Sequence, residues 1–299
     1  MAQQKYALIS GASSGIGYQL AISLSKRGYK VFGCVPEFAI WEMKPLAEKY
    51  GVVPFVCDIS KLEDIKKAAE FIKEQTGGRL DILYNNAGIS FGGPSVEFDD
   101  DALVRLFNVN TLGHIYMTKY MIDYVIETKG IVVYTASIAA RAPLSWIGPY
   151  CATKAAIDQY AKVLHMEMEP FGVRVHSVIT GGVDTAICDS NVKNSVAGSR
   201  FDVPGIYESL SASCTMSRDL SISPESYAEQ VVSTITRKYD PGFNIYRGAL
   251  AYFTHFASRF LPVWVLNLGV AYHFKQLVVL RNLRKRTALQ AKQAKQKQA

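Results

Sequence analysis

Residues 6–17 read Tyr6-Ala7-Leu8-Ile9-Ser10-Gly11-Ala12-Ser13-Ser14-Gly15-Ile16-Gly17. An apolar run of strand length passes straight into a glycine cluster, and a helical pattern over 16–27 follows. Glycines permit the tight turn and let the backbone approach a pyrophosphate. The helix beyond offers its free N-terminal amides to the negative charge. A glycine cluster alone is weak evidence, but between a first strand and a first helix it marks a dinucleotide-binding turn.

Outward from that turn, short apolar runs rich in β-branched residues recur at 30–35, 52–57, 80–84, 131–136 and 173–179, with helical stretches such as 62–75 between them. This alternation predicts an α/β fold, a Rossmann-type doubly wound parallel sheet. The expected organisation is one Rossmann domain over 1–240 and an apolar, basic C-terminal extension over 241–299. From 184 to 223 the pattern dissolves into Ser, Asn, Gly and isolated apolar residues. That stretch reads as a long functional loop, a lid, with a disordered insertion as the alternative. Pro224 then opens a helix running to 237.

Composition narrows the function classes. The five cysteines (Cys34, Cys57, Cys151, Cys188, Cys214) show no paired spacing, so neither a metal site nor a disulfide framework is expected. The N-terminus enters a strand at once, and a secreted protein is not expected. Charge is split along the chain. Residues 1–240 hold 23 Lys and Arg against 26 Asp and Glu, whereas 241–299 hold ten Lys and Arg and no acid. A mildly acidic domain with a cationic tail suits an anionic surface.

Tyr150-Cys151-Ala152-Thr153-Lys154 is the one Tyr-x-x-x-Lys in the chain. Its place after the fifth strand, opening a helical stretch, puts both side chains on one helix face. Ser137 closes the preceding strand thirteen residues earlier, and Asn110 lies within Asn108-Val109-Asn110-Thr111-Leu112-Gly113. A carbonyl that accepts hydride becomes an alkoxide, so an acid must deliver a proton and a donor must hold the oxyanion. A free tyrosine, with a pKa of about 10, is a poor acid–base near neutrality, and an adjacent positive charge favours tyrosinate.

With the G-x-x-x-G-x-G turn, Asp58 after the third strand and Asn85-Asn86-Ala87-Gly88 after the fourth, this set resembles the short-chain dehydrogenase/reductase family over about residues 5–240. The resemblance implies Ser137, Tyr150, Lys154 and Asn110 as catalytic residues, with Asn110 holding a water of the proton relay. It implies a nicotinamide cofactor bound by Gly11, Ser13, Ser14, Gly15, Ile16, Gly17, Asp58, Asn86, Ala87, Gly88, Tyr150, Lys154, Val183 and Thr185. Asp58 reads equally as a helix cap. Val35 stands where an NAD enzyme would carry an acid for the ribose hydroxyls, which favours NADP(H). Ser13 and Lys44 are candidates for the 2′-phosphate, and Pro36-Glu37 departs from the expected basic pair.

Within that family the chain is similar to the fungal NADPH-dependent 1-acyldihydroxyacetone-phosphate reductases. The shared segments are 83–88, 164–168, Ile179-Thr180-Gly181-Gly182-Val183 and Ile245-Tyr246-Arg247-Gly248. This implies reduction of a lipid ketone to lysophosphatidate in phosphatidate biosynthesis, at the cytosolic face of the endoplasmic reticulum and lipid droplets. A cytoplasmic enzyme, and a reductase of another lipophilic alcohol or ketone such as a steroid or retinoid, are the alternatives. Residues 245–274 add a dense aromatic and aliphatic run, too short between charges and broken by Pro262 for a spanning helix. Lys275, Arg281, Arg284, Lys285, Arg286, Lys292, Lys295 and Lys297 follow it, as in an interfacial membrane element. A pocket wall or a homodimer interface is the competing reading of the run, and nucleic acid is not an expected partner. Gly88-Ile89-Ser90-Phe91-Gly92 spells a serine-hydrolase elbow, with His114 and His165 as available partners, and gives a secondary lipase reading. A non-catalytic, cofactor-sensing membrane adaptor is a third class.

Overall fold

The computed structural model describes residues 3–188 and 196–298. Seven strands form one all-parallel sheet: β1 Lys5–Ser10, β2 Tyr29–Val35, β3 Val53–Val56, β4 Ile82–Asn85, β5 Ile131–Ser137, β6 Arg174–Thr180 and β7 Asn244–Arg247, in the order β3-β2-β1-β4-β5-β6-β7. Eleven α-helices are described: α1 Gly15–Lys26, α2 Lys44–Tyr50, α3 Leu62–Thr76, α4 Asp100–Phe107, α5 His114–Glu127, α6 Gly148–Met168, α7 Ile206–Asp219, α8 Pro224–Ile235, α9 Ala251–Phe260, α10 Val263–His273 and α11 Gln276–Gln298.

The central strands are apolar on both sides because both faces are covered. One layer buries Leu20 and Leu24 of α1, Leu46 of α2 and Val231 of α8 against Ile9, Val31 and Tyr84. The other buries Ile72 of α3, Met121 of α5 and Ile157 of α6 against Leu8, Phe32 and Val132. The six strands expected from the sequence are all present, and the sheet is the doubly wound one. Strand order reverses between β1 and β4, which opens a crevice beyond their carboxyl ends. Ile9 lies opposite Tyr84, so the turn after β1 leaves the sheet beside Asn86-Ala87.

Two sequence expectations need correction. The stretch 184–223 is not one long loop. It contains a 3-10 turn at Ala186–Cys188 and the fourteen-residue α7, while 189–195 lie outside the described residues. α7 escapes a hydrophobicity reading because two of its buried residues are serines. Ser209 Oγ donates to Phe274 O at 2.5 Å, and Ser213 Oγ donates to Ser145 O at 2.6 Å. Hydrogen-bonded serines at i and i+4 bury a face that reads as polar. The boundary at 240 also falls too early, since the sheet takes β7 from beyond it. β7 is only four residues long and follows a turn at Gly242 (φ 91°), so its signal is weak.

Candidate active site

The turn after β1 has the backbone that glycine alone allows cheaply. Gly11 and Gly15 both have positive φ, 69° and 53°. At Gly17, a Cβ would stand 2.1 Å from Gly11 O and 2.7 Å from Asn86 Nδ2. Asn86 explains that closeness: its Nδ2 donates to Ser10 O (3.1 Å) and Gly11 O (3.2 Å). Ser10 Oγ in turn accepts from the Asn86 and Ala87 amides, and Asn86 Oδ1 accepts from Thr135 Oγ1 at 3.1 Å. The Asn-Asn-Ala-Gly segment thus laces three strand ends together.

Beyond this lattice lies a cavity of about 880 Å³. It brings together Gly11, Ser13, Ser14, Gly15, Ile16, Asp58, Asn86, Ala87, Gly88, Ser137, Tyr150, Lys154, Val183 and Thr185. Gly17 and Asn110 stand behind the wall. Gly17 packs on Gly11, and Asn110 is fully buried.

The end of the cavity at the turn after β1 fits a dinucleotide phosphate. Ser14 caps α1 without a side-chain bond, and the first turn of α1 holds no acid, so its amides stay available to an anion. Asp58 is the one acid among the described lining residues. It is not the N-cap of α3, which begins at Leu62. Its Oδ1 instead accepts from the Ser60 amide (3.0 Å) and hydroxyl (2.7 Å), an Asx turn that fixes the carboxylate on the cavity wall. Val35 and Pro36 line the end of β2, while Glu37 is exposed and outside the lining. No carboxylate therefore waits where a 2′-phosphate would be repelled. Lys44 faces Glu48 at 3.8 Å and is not part of the wall, whereas Arg105 of α4, unmarked by any sequence motif, is.

Tyr150 and Lys154 sit one helical turn apart in α6, with Lys154 Nζ 5.7 Å from the Tyr150 ring centroid. Lys154 is only 2% exposed, and its Nζ donates to Thr135 O at 2.9 Å. Burial lowers its pKa to about 8. Ser137 ends β5, and its Oγ accepts from the Ala139 amide at 3.1 Å, which points the hydroxyl proton elsewhere.

Asn110 lies in a π turn, Asn108–Gly113, between α4 and α5. Its Oδ1 accepts from Ile89 N (2.9 Å), and its Nδ2 donates to Ile89 O (2.8 Å) and Thr153 Oγ1 (3.1 Å). The amide is a clamp between the loop after β4 and α6. The π turn that carries it is a local widening of a kind common at functional sites.

The hydrolase elbow lacks its framework. Ser90 is in the loop between β4 and α4, not on a strand-to-helix turn. His114 Nε2 is bound to Ala87 O at 2.8 Å and His165 Nδ1 to Val175 O at 2.9 Å. Burial, then the nearby charge of Lys154, lower the pKa of His114 to about 3, so it stays a neutral brace for the Ala87 carbonyl.

The other end of the cavity was visible in the sequence only as one reading of the tail, and the share of α7 in it not at all. α7 contributes Ser213, Cys214 and Met216, while α9 and α10 contribute Phe253, Ala257, Val265, Leu266 and Gly269. Several polar contacts lock the tail on, the most buried of them a chain of two hydrogen bonds. Trp146 Nε1 donates to Ser209 Oγ (2.8 Å), which donates to Phe274 O. Trp146, Ile206, Leu210 and Val279 bury a satellite core around it. Among the described residues no single helix is long and apolar enough to cross a membrane.

A family model described as short chain dehydrogenase matches residues 5–195. The chain is 38% identical over 277 residues to the NADPH-dependent 1-acyldihydroxyacetone phosphate reductase of Saccharomyces cerevisiae, covering 91% of this chain and 92% of that protein. It is 31% identical over 188 residues to the Schizosaccharomyces pombe protein of the same description, covering 62% of each. Among solved structures, a short-chain dehydrogenase from Streptomyces avermitilis superimposes with a TM-score of 0.74 at 21% identity, covering 93% of this chain and 98% of that one.

Proposed function

Since the chain belongs to the short-chain dehydrogenase family, we propose that it is an NADP(H)-dependent reductase of a lipid ketone, with 1-acyldihydroxyacetone phosphate as the substrate and the corresponding lysophosphatidate as the product. The observation that carries this reading is the cavity itself. One end is a phosphate-binding turn without an opposing acid at β2, the middle holds Ser137, Tyr150 and Lys154, and the other end is walled by apolar side chains of the tail. The names of the two yeast relatives support the same cofactor and substrate class.

The bound nicotinamide supplies the hydride. The residues that would hold it are the turn at Gly11–Gly17, Ser13 and the α1 amides at its phosphates, Asp58 at the adenine and Lys154 at the ribose. The protein's own chemistry is at the ketone oxygen. Ser137 donates a hydrogen bond to that oxygen and fixes its direction, and Tyr150 delivers the proton to the forming alkoxide. Lys154, a buried cation beside the ring, favours the tyrosinate left behind and so makes the proton easier to release. Asn110 holds loop 87–89 and α6 in register, which keeps cofactor floor and proton donor aligned.

The composition and exposure of the tail support a site that works at a lipid surface. Tyr252, Phe253, Phe260, Val263, Trp264 and Tyr272, close together in α9 and α10 and the turn between them, are each more than 60% exposed, and a concentration of exposed large apolar side chains supports a contact surface. α11 adds exposed Arg281, Arg284 and Lys285, each contributing on the order of 1 kcal/mol near an anionic bilayer. The setting is the cytosolic face of the endoplasmic reticulum and of lipid droplets.

The direct test is steady-state reduction of a ketone panel, including acyldihydroxyacetone phosphate, a steroid and a retinoid, with NADPH and NADH. Higher kcat/KM for the steroid or retinoid would overturn the substrate. For the surface, Arg281, Arg284 and Lys285 are replaced by Gln, sparing Arg286, which donates to Asp202 O at 3.0 Å. Co-sedimentation with anionic liposomes should weaken severalfold. Unchanged binding would remove the electrostatic part of the argument, and a wild-type protein that stays in the supernatant would remove the surface altogether.

A further inference from the structure

The helix α10 carries apolar residues on both faces, with Asn267 the one polar side chain before its terminal His273, which suits a helix with apolar surroundings on both sides. One face is accounted for, since Val265, Leu266, Gly269 and Val270 line the chamber. The opposite face carries Trp264, Leu268 and Tyr272, at 54–78% exposure. The wall between chamber and exterior is therefore one helix thick.

One position of that wall carries no side chain. Gly269 lines the chamber and is also open to solvent. A Cβ built on it meets nothing within 4 Å. This glycine is thus not required by close packing, and it lies at an ordinary helical backbone, not at a positive φ. Glycine inside a helix is less stable than alanine there. Its neighbours one turn away on either side, Val265 and His273, both line the chamber, so the missing side chain leaves a notch about one residue wide in a continuous row.

We propose that Gly269 is a lateral port, through which the hydrocarbon chain of the substrate extends from the lipid surface into the chamber while the ketone rests at Tyr150. The proposal deepens the lipid-ketone reading and rests on it. The exposed aromatic face around the notch and the cationic α11 beyond it set the occupant as a chain presented by an anionic lipid surface rather than a free water-soluble ketone. Specificity for long chains then resides partly in an absence, a side chain that α10 does not have.

The experiment is Gly269→Trp in the full chain, with Gly269→Ala as control. Neither side chain starts from a clash, and loss of a helical glycine favours the folded state. The indole should fill the notch. KM for a hexadecanoyl ketone should rise at least tenfold, kcat/KM for an acetyl analogue with the same head should hold, and NADPH affinity by fluorescence should not change. Gly269→Ala, which adds a single methyl, should give a smaller loss for the long chain and none for the short one. Binding of a pyrene-tagged hexadecyl ketone, which needs no turnover, should weaken tenfold in Gly269→Trp. Equal losses for both chain lengths, or no loss for either, would overturn the port. If wild type reduces no long-chain ketone, the substrate reading fails by itself. Pyrene binding then still decides the port: a tenfold loss sustains it and unchanged binding overturns it.

Discussion

Replacing Lys154 by Met should change how stability depends on pH, by an amount the structure sets. The ammonium is buried, burial is the named cause of its shift, and its hydrogen bond goes to a neutral carbonyl. Holding the charge there rather than in the unfolded chain lowers the pKa from 10.5 to about 8, which is worth roughly 3 kcal/mol at about 1.4 kcal/mol per pH unit. Below pH 8 both states bind the proton and the full penalty is present. Between pH 8 and 10.5 the unfolded state binds more protons than the folded one, so wild-type stability rises with pH. The Met variant has no such proton. Urea unfolding of the cofactor-free proteins, followed by tryptophan fluorescence, gives the difference between them. It should be flat below pH 8, climb by roughly 3 kcal/mol to pH 10.5, and flatten again. Loss of the bond to Thr135 O, worth about 1 kcal/mol, offsets the curve without tilting it. Turnover of the variant at neutral pH should fall by a factor of about 100 or more. A difference that stays level across this window would show that Lys154 holds its charge without penalty, and the account of a cation kept for tyrosine would lose its physical basis.

Tyr150→Phe should lower kcat by about 100- to 10,000-fold, since it deletes the proton donor and little volume. NADPH affinity by fluorescence titration should stay within about twofold, and retained turnover above a few per cent would refute the assignment. Val35→Asp should shift the NADPH-to-NADH ratio of kcat/KM by about tenfold or more towards NADH, because an acid at the end of β2 binds ribose hydroxyls and repels a 2′-phosphate. A wild-type enzyme that already prefers NADH would defeat that reasoning.

The nucleotide half of the molecule was legible because its signals are local. A strand, a glycine turn and a helix are contiguous over 6–27, and Tyr150 and Lys154 are one turn apart. Each such motif carries its own geometry. The substrate half resisted reading because its determinants are distant in sequence and mixed in chemistry. Ser209 and Ser213 read as loop residues until Phe274 O and Ser145 O are seen to satisfy them. The tail's aromatic run admitted a pocket wall or a membrane face as rivals, yet α9 and α10 present one side to the chamber and the other outward. Asn110 shows a subtler limit. Its position was evident, but the pairing of its amide with Ile89 depends on a π turn that no spacing rule announces.

The lock formed by Trp146, Ser209 and Phe274 bears on the order in which the protein is made. Chains grow from the N-terminus, and segments fold as they become available. The sheet and its phosphate turn need nothing beyond Arg247, whereas the far wall closes only after Phe274 and Val279 have emerged. During synthesis there is consequently an interval in which a nascent polypeptide can hold dinucleotide but has no compartment for a lipid. A message truncated in that interval would yield a nucleotide-binding protein with an unroofed basin, its apolar floor open to whatever passes.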